Sequence, residues 1–240
     1  MRILLIFILL ISSCTFSKRD FSIFDLQYLN EVEGLKRVVI QDTLVVYERK
    51  DANEDLVIFM IDKSQAREVT ETYLNAFSVL GFDVLVVNYW DRVYTDDRAV
   101  RLFNTAINNY LSHEYAMSRI VIYGKGSTAH LALQMGNLLK PRAIVIENLN
   151  EDFLKESVVA AKELHTDVLI IQGDRSKVGK LQDAVELYMN LDSGPRRLLV
   201  LPNITDTDVH YDQLYMMTLE ATLPTKSGVK SDGRYSEFVW

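Results

Sequence analysis

Cysteine is almost absent: Cys14 is the only one in 240 residues, which excludes an intramolecular disulfide. Histidine is scarce too, at His113, His130, His165 and His210. None of these stands at metal-ligand spacing from another histidine, a cysteine or a carboxylate, so the sequence predicts no metal and no cofactor. There is no basic cluster and the formal charge is −7, a balance that argues against nucleic acid as a partner. No internal repeat and no interior linker divides the chain. The apolar run Ile3–Ile11 is too short to span a bilayer comfortably.

What is present is a core. Hydrophobic residues make up 48% of the chain and charged residues 25%, which suits one globular domain. Short β-branched runs at Leu56–Ile61, Val84–Val87, Ile120–Tyr123, Ala143–Ile146, Val168–Ile171 and Leu198–Leu201 suit strands buried on both faces of a parallel sheet. Helical spacing separates them. Ala66, Val69, Tyr73, Phe77 and Leu80 mark one helix, stopped by Gly81, and Val100, Phe103, Ile107 and Tyr110 mark a second. Leu131, Met135, Leu138 and Leu139 mark a third, Val178, Leu181, Val185 and Tyr188 a fourth, and a last helix is predicted over Val209–Leu219. Upstream, Lys36–Ile40 and Leu44–Glu48 read as an antiparallel hairpin around Gln41-Asp42-Thr43. The pattern predicts an α/β domain over residues 36–223, a doubly wound, mostly parallel sheet of about eight strands with an antiparallel N-terminal hairpin. A leader (14–35) precedes it and a polar tail, Pro224–Trp240, follows.

The stretch that carries chemistry is Arg119–Met135, where the strand Ile120–Tyr123 runs into Gly124-Lys125-Gly126-Ser127 and then an amphipathic helix. It is not a phosphate loop. Arg119 stands where that motif needs its first glycine, and Gly126 rather than Ser or Thr follows Lys125. Strand, tight turn and helix resemble instead the nucleophile elbow of the α/β-hydrolases, Gly-x-Ser-x-Gly. The element order from about Lys36 to Leu223 resembles that fold, nearest to small serine hydrolases of the esterase and aminopeptidase-like branch. The resemblance implies no cap domain, because Glu147–Asp167 leaves room for one helix.

It also implies where a triad would stand, and each position is changed. Gly126 occupies the nucleophile position, where glycine adopts a positive φ without steric cost. Ser176, in Gln172-Gly173-Asp174-Arg175-Ser176, takes the place of the acid. Asp206, in Pro202-Asn203-Ile204-Thr205-Asp206, takes the place of the histidine. The oxyanion loop reads Met60-Ile61-Asp62-Lys63-Ser64, acidic where an anion should be welcomed. Without imidazole there is no base to accept a serine proton at neutral pH. The expectation is the fold without an intact catalytic set, hence a binding or scaffolding module. The alternative is an active esterase or peptidase with a displaced triad in the same chain order, Ser127, Asp174 and His210. Against it stands the plain reading of Ser127 as a helix cap and of Asp174 and His210 as surface residues. Asp62, Asp91, Asp96 and Asp97 read as solvated surface. Lys125 reads as a surface cation, or as a holder of a small anion at the helix N-terminus.

At the N-terminus, Arg2 precedes the apolar run, which ends in Ile11-Ser12-Ser13-Cys14. This ending resembles a bacterial lipobox. The resemblance implies removal of residues 1–13, acylation of Cys14, and a lipid-anchored protein of the cell envelope whose contact with the membrane is Cys14. Thr15, rather than aspartate, resembles lipoproteins sent to an outer membrane. The partner beyond the membrane, protein or small molecule, is not named by the sequence.

Overall fold

The β-branched runs pair into one sheet. The structure, a computed structural model, describes residues 35–41, 44–49, 55–62, 67–89, 111, 115–191, 195–205 and 213–223. Its strands are β1 (Leu35–Gln41), β2 (Leu44–Arg49), β3 (Leu56–Asp62), β4 (Asp83–Tyr89), β5 (Ile120–Lys125), β6 (Ala143–Glu147), β7 (Asp167–Gly173) and β8 (Arg196–Leu201). They lie in the order β1-β2-β4-β3-β5-β6-β7-β8. The β1–β2 and β2–β4 pairs are antiparallel and all later pairs are parallel. The described helices are α1 (Arg67–Val79), α2 (Ala129–Leu139), α3 (Leu154–Ala161), α4 (Leu181–Asn190) and α5 (Gln213–Thr222). Between β6 and β7 the chain makes one 3-10 turn and the helix α3. The predicted second helix, the segment around Cys14, Asp206, His210 and the tail lie outside the described residues.

The continuous apolar runs follow from burial on both faces. Successive side chains of a strand point to opposite sides, so Ile120 and Ile122 enter one core while Val121 and Tyr123 enter the other. The first core lies under α2, α3 and α4, with Leu131, Met135, Ala160, Ala184 and Leu187. The second lies under α1 and α5, with Tyr73, Phe77, Tyr215 and Leu219. At the N-terminal strand ends the buried Asp55 carboxylate stands 3.4 Å from Arg119 and 3.5 Å from Arg142, an ion cluster that fastens β3, β5 and β6. A charge this deep is held only when paired.

Four expectations are corrected. Val178 precedes α4 instead of belonging to it, and Leu181 and Val185 are exposed. Two apolar stripes compete on that helix, and the inner one is Ala184 and Leu187, continued by Leu191 just beyond it; the small alanine permits close approach to the sheet. Leu138 is exposed on α2, whose inner face is completed by Leu131, Met135 and Leu139. β8 is an edge strand with Leu198, Leu199 and Val200 only half-buried, not a strand covered on both faces. The last helix runs on to Thr222, past the predicted Leu219.

Candidate functional site

The turn after β5 lies at the C-terminal strand ends, where open α/β sheets bind ligands. Gly126 has φ 58°, a left-handed backbone that strains any other common residue. A 3-10 turn over Gly126–Thr128 leads into α2. Thr128, rather than Ser127, secures this start. Its hydroxyl accepts from the Lys125 amide at 3.0 Å and lies 2.8 Å from the carbonyl of Met60, tying the turn to β3. The Ser127 hydroxyl accepts from the Asn150 side-chain Nδ2 at 3.5 Å, its hydrogen-bond partner among the described residues. Its carbonyl accepts from His130 Nδ1 at 2.6 Å, and that ring stacks on Phe153 at 4.1 Å and 4°. Burial pushes the His130 pKa down, opposed by the Ser127 carbonyl and Glu156. The ring is thus a packing element of α2 whose burial favours the neutral form.

Two loops cover the turn. The Asn150 backbone N–H donates to the Gly126 carbonyl and the Glu151 backbone N–H to the Val178 carbonyl, both at 3.3 Å. Gly179 lies so close to Leu149 that any side chain there would overlap the Leu149 carbonyl. Lys180 and Glu151 form an exposed ion pair across the same two loops. Val178 Cγ1 stands 3.6 Å from where a Cβ on Gly126 would lie. Ser176, at the position implied for the acid, accepts from the amides of Val178 at 3.2 Å and Gly179 at 3.1 Å, so its hydroxyl closes its own loop. Asp174 is exposed at the start of that loop. The structure thus brings the loop of Asp174 and Ser176 over Gly126. It places Asp62 at the end of β3, while the other two positions, Asp206 and His210, fall outside the described residues.

The largest departure is Lys125. It is neither a surface cation nor an anion holder: its side chain is 9% exposed and its ammonium pairs with the fully buried Glu147. Lys125 and Glu147 are register partners at the ends of β5 and β6. Three tyrosines complete the cluster. Tyr73 of α1 reaches both Glu147 oxygens at 2.7 Å and lies 3.0 Å from the Lys125 ammonium. Tyr123 donates to Glu147 Oε2, and its oxygen is 2.8 Å from that of Tyr215 on α5. Burial, then the Glu147 charge, pushes the Tyr73 and Tyr123 hydroxyls well above the usual phenol range. Sequence reasoning missed Glu147 and the tyrosines. The available signal was that Tyr123 and Lys125 share one face of β5, and that the apolar runs before Lys125 and Glu147 are adjacent strands.

This strand order, with the elbow between β5 and α2, is that of the α/β-hydrolases, and the chain has that fold. Solved structures agree. An Arctic intertidal metagenomic cold-adapted esterase, in its PEG-bound form, superposes with a TM-score of 0.62 at 12% identity, covering 82% of this chain and 97% of that one. A serine hydrolase homologue from Coxiella burnetii gives 0.59 at 15% identity, with 81% and 97% covered. The esterase domain of a Rhodothermus marinus protein gives 0.59 at 11%, with 79% and 96% covered. No family model and no curated protein matches the sequence.

Proposed function

We propose that this protein is a non-catalytic α/β-hydrolase-fold module, lipid-anchored through Cys14 at a bacterial cell envelope, that acts by binding a protein or small molecule. The observation that carries the reading is Gly126 at the elbow: φ 58°, no side chain, and the loop of Val178 folded beside it. A nucleophile is missing where the fold presents one, and the Ser176 hydroxyl is engaged by two backbone amides. Labelling with a fluorophosphonate probe tests this. The folded full-length chain is expected to stay unlabelled and to leave a short activated ester intact. Serine labelling that disappears in Ser127→Ala would overturn it. Anchoring is tested separately by mass spectrometry of the mature N-terminus, expected to begin at an acylated Cys14; an unmodified Cys14 would refute the anchor. Two or more acyl chains hold a protein at a bilayer stably, since each buried methylene contributes about 0.8 kcal/mol.

A second reading has its own support. The similar structures include esterases, and Ser127 is half-exposed one residue past the elbow. In that reading Ser127, Asp174 and His210 form a displaced triad of an active serine hydrolase, and the same probe decides between the two.

A further inference from the structure

We propose that the Glu147 carboxylate is the hub of a latch that sets the docking of α1 and α5 on the sheet. The proposal is independent of whether the elbow is catalytic. Glu147 is fully buried at the end of β6, one strand from the turn that carries Gly126. Two arms leave it. One is Tyr73, which brings α1 to both carboxylate oxygens. The other is a relay through Tyr123 to Tyr215, which brings α5. The rings of Tyr73 and Tyr215 meet edge-on at 6.5 Å, so the arms converge on one point of the second core.

The latch matters most for α5. A helix of ten residues is not stable in water by itself. Its hold on the second core comes from Tyr215, Leu219 and Leu223, with Met216 packed partly against it and Met217 in solvent. Tyr215 sits among these buried side chains, so its hydroxyl is a measurable share of the docking energy. Tyr123 and Lys125 lie on the same face of β5, and Tyr215 of α5 meets the Tyr123 hydroxyl there.

Native-state amide hydrogen exchange of the full chain tests the proposal with variants that remove one oxygen each. Tyr215→Phe is expected to speed exchange in α5 about tenfold, the effect of losing roughly 1.4 kcal/mol of hydrogen bonding, with β3, β5 and β6 unchanged. Tyr73→Phe is expected to do the same in α1 and not in α5. Glu147→Gln, which neutralises the hub, is expected to loosen both helices. Unchanged α5 protection in Tyr215→Phe overturns the latch. So does an equal loss of protection in helices and strands, which would make the cluster an undivided part of the core.

Discussion

Glu147 and Lys125 form an ion pair with unequal surroundings. Removing Glu147 leaves a buried ammonium with Tyr73 as its neighbour and takes the acceptor from two tyrosine hydroxyls. Removing Lys125 leaves a carboxylate that still accepts from both. Breaking a buried pair from one side costs about 3–5 kcal/mol. Glu147→Ala is therefore expected at or above the top of that range and Lys125→Met below it, as read from urea unfolding; the reverse order would mean that the tyrosines do not stabilise the carboxylate. Gly126 is a gentler case. Among the described residues a Cβ there meets nothing closer than Val178 at 3.6 Å, so the penalty of Gly126→Ser is set by backbone strain. About 1–2 kcal/mol is expected, with no gain of ester hydrolysis, since Ser176 is tied into its own loop. A neutral or stabilising Gly126→Ser in the same unfolding assay would remove the strain from that turn.

The elements divide into those legible in the sequence and those that are not, for physical reasons. Strands buried on both faces must be apolar throughout, so β3, β5, β6 and β7 are readable as runs, and Ile122→Ala is expected to lose about 2–5 kcal/mol in urea unfolding. Helix α4 resisted because two stripes at helical spacing were available, and only packing chose Ala184 and Leu187 over Leu181 and Val185. The turn at Gly126 was readable from its glycines. The Lys125–Glu147 cluster was not, because a lysine and a glutamate each read as surface until strand register sets them side by side. The contact between α2 and the start of α3 has a pH signature. His130, stacked on Phe153, has a lowered pKa when folded, so the unfolded chain binds its proton first as pH falls. The stability it lends is full above about 6.5 and is lost as pH drops through the folded value. Urea midpoints from pH 8 to 5 are expected to fall less in His130→Gln than in the unaltered protein, and equal slopes would refute this.

Across the whole molecule, the second core is expected to set the response to alkali. The second core holds Tyr73 and Tyr123, whose hydroxyls resist ionisation through burial and then the Glu147 charge. Their folded pKa values lie above those of the unfolded chain, so their contribution is intact below about pH 10 and is lost as pH rises further. Ultraviolet titration is expected to show tyrosines that ionise only when the fold collapses, fewer of them in Tyr73→Phe; complete ionisation with the fold intact would contradict the buried cluster. The cluster also bears on how the chain is made. Tyr123 lies 92 positions before Tyr215, and Tyr73 lies 74 before Glu147. Contacts this distant in sequence form slowly, since loop closure must precede their reward. In chain order all eight described strands precede α5. The Tyr123–Tyr215 contact can form only once the strands and α5 have come together, so it ties the packing of the domain to the closure of a long loop.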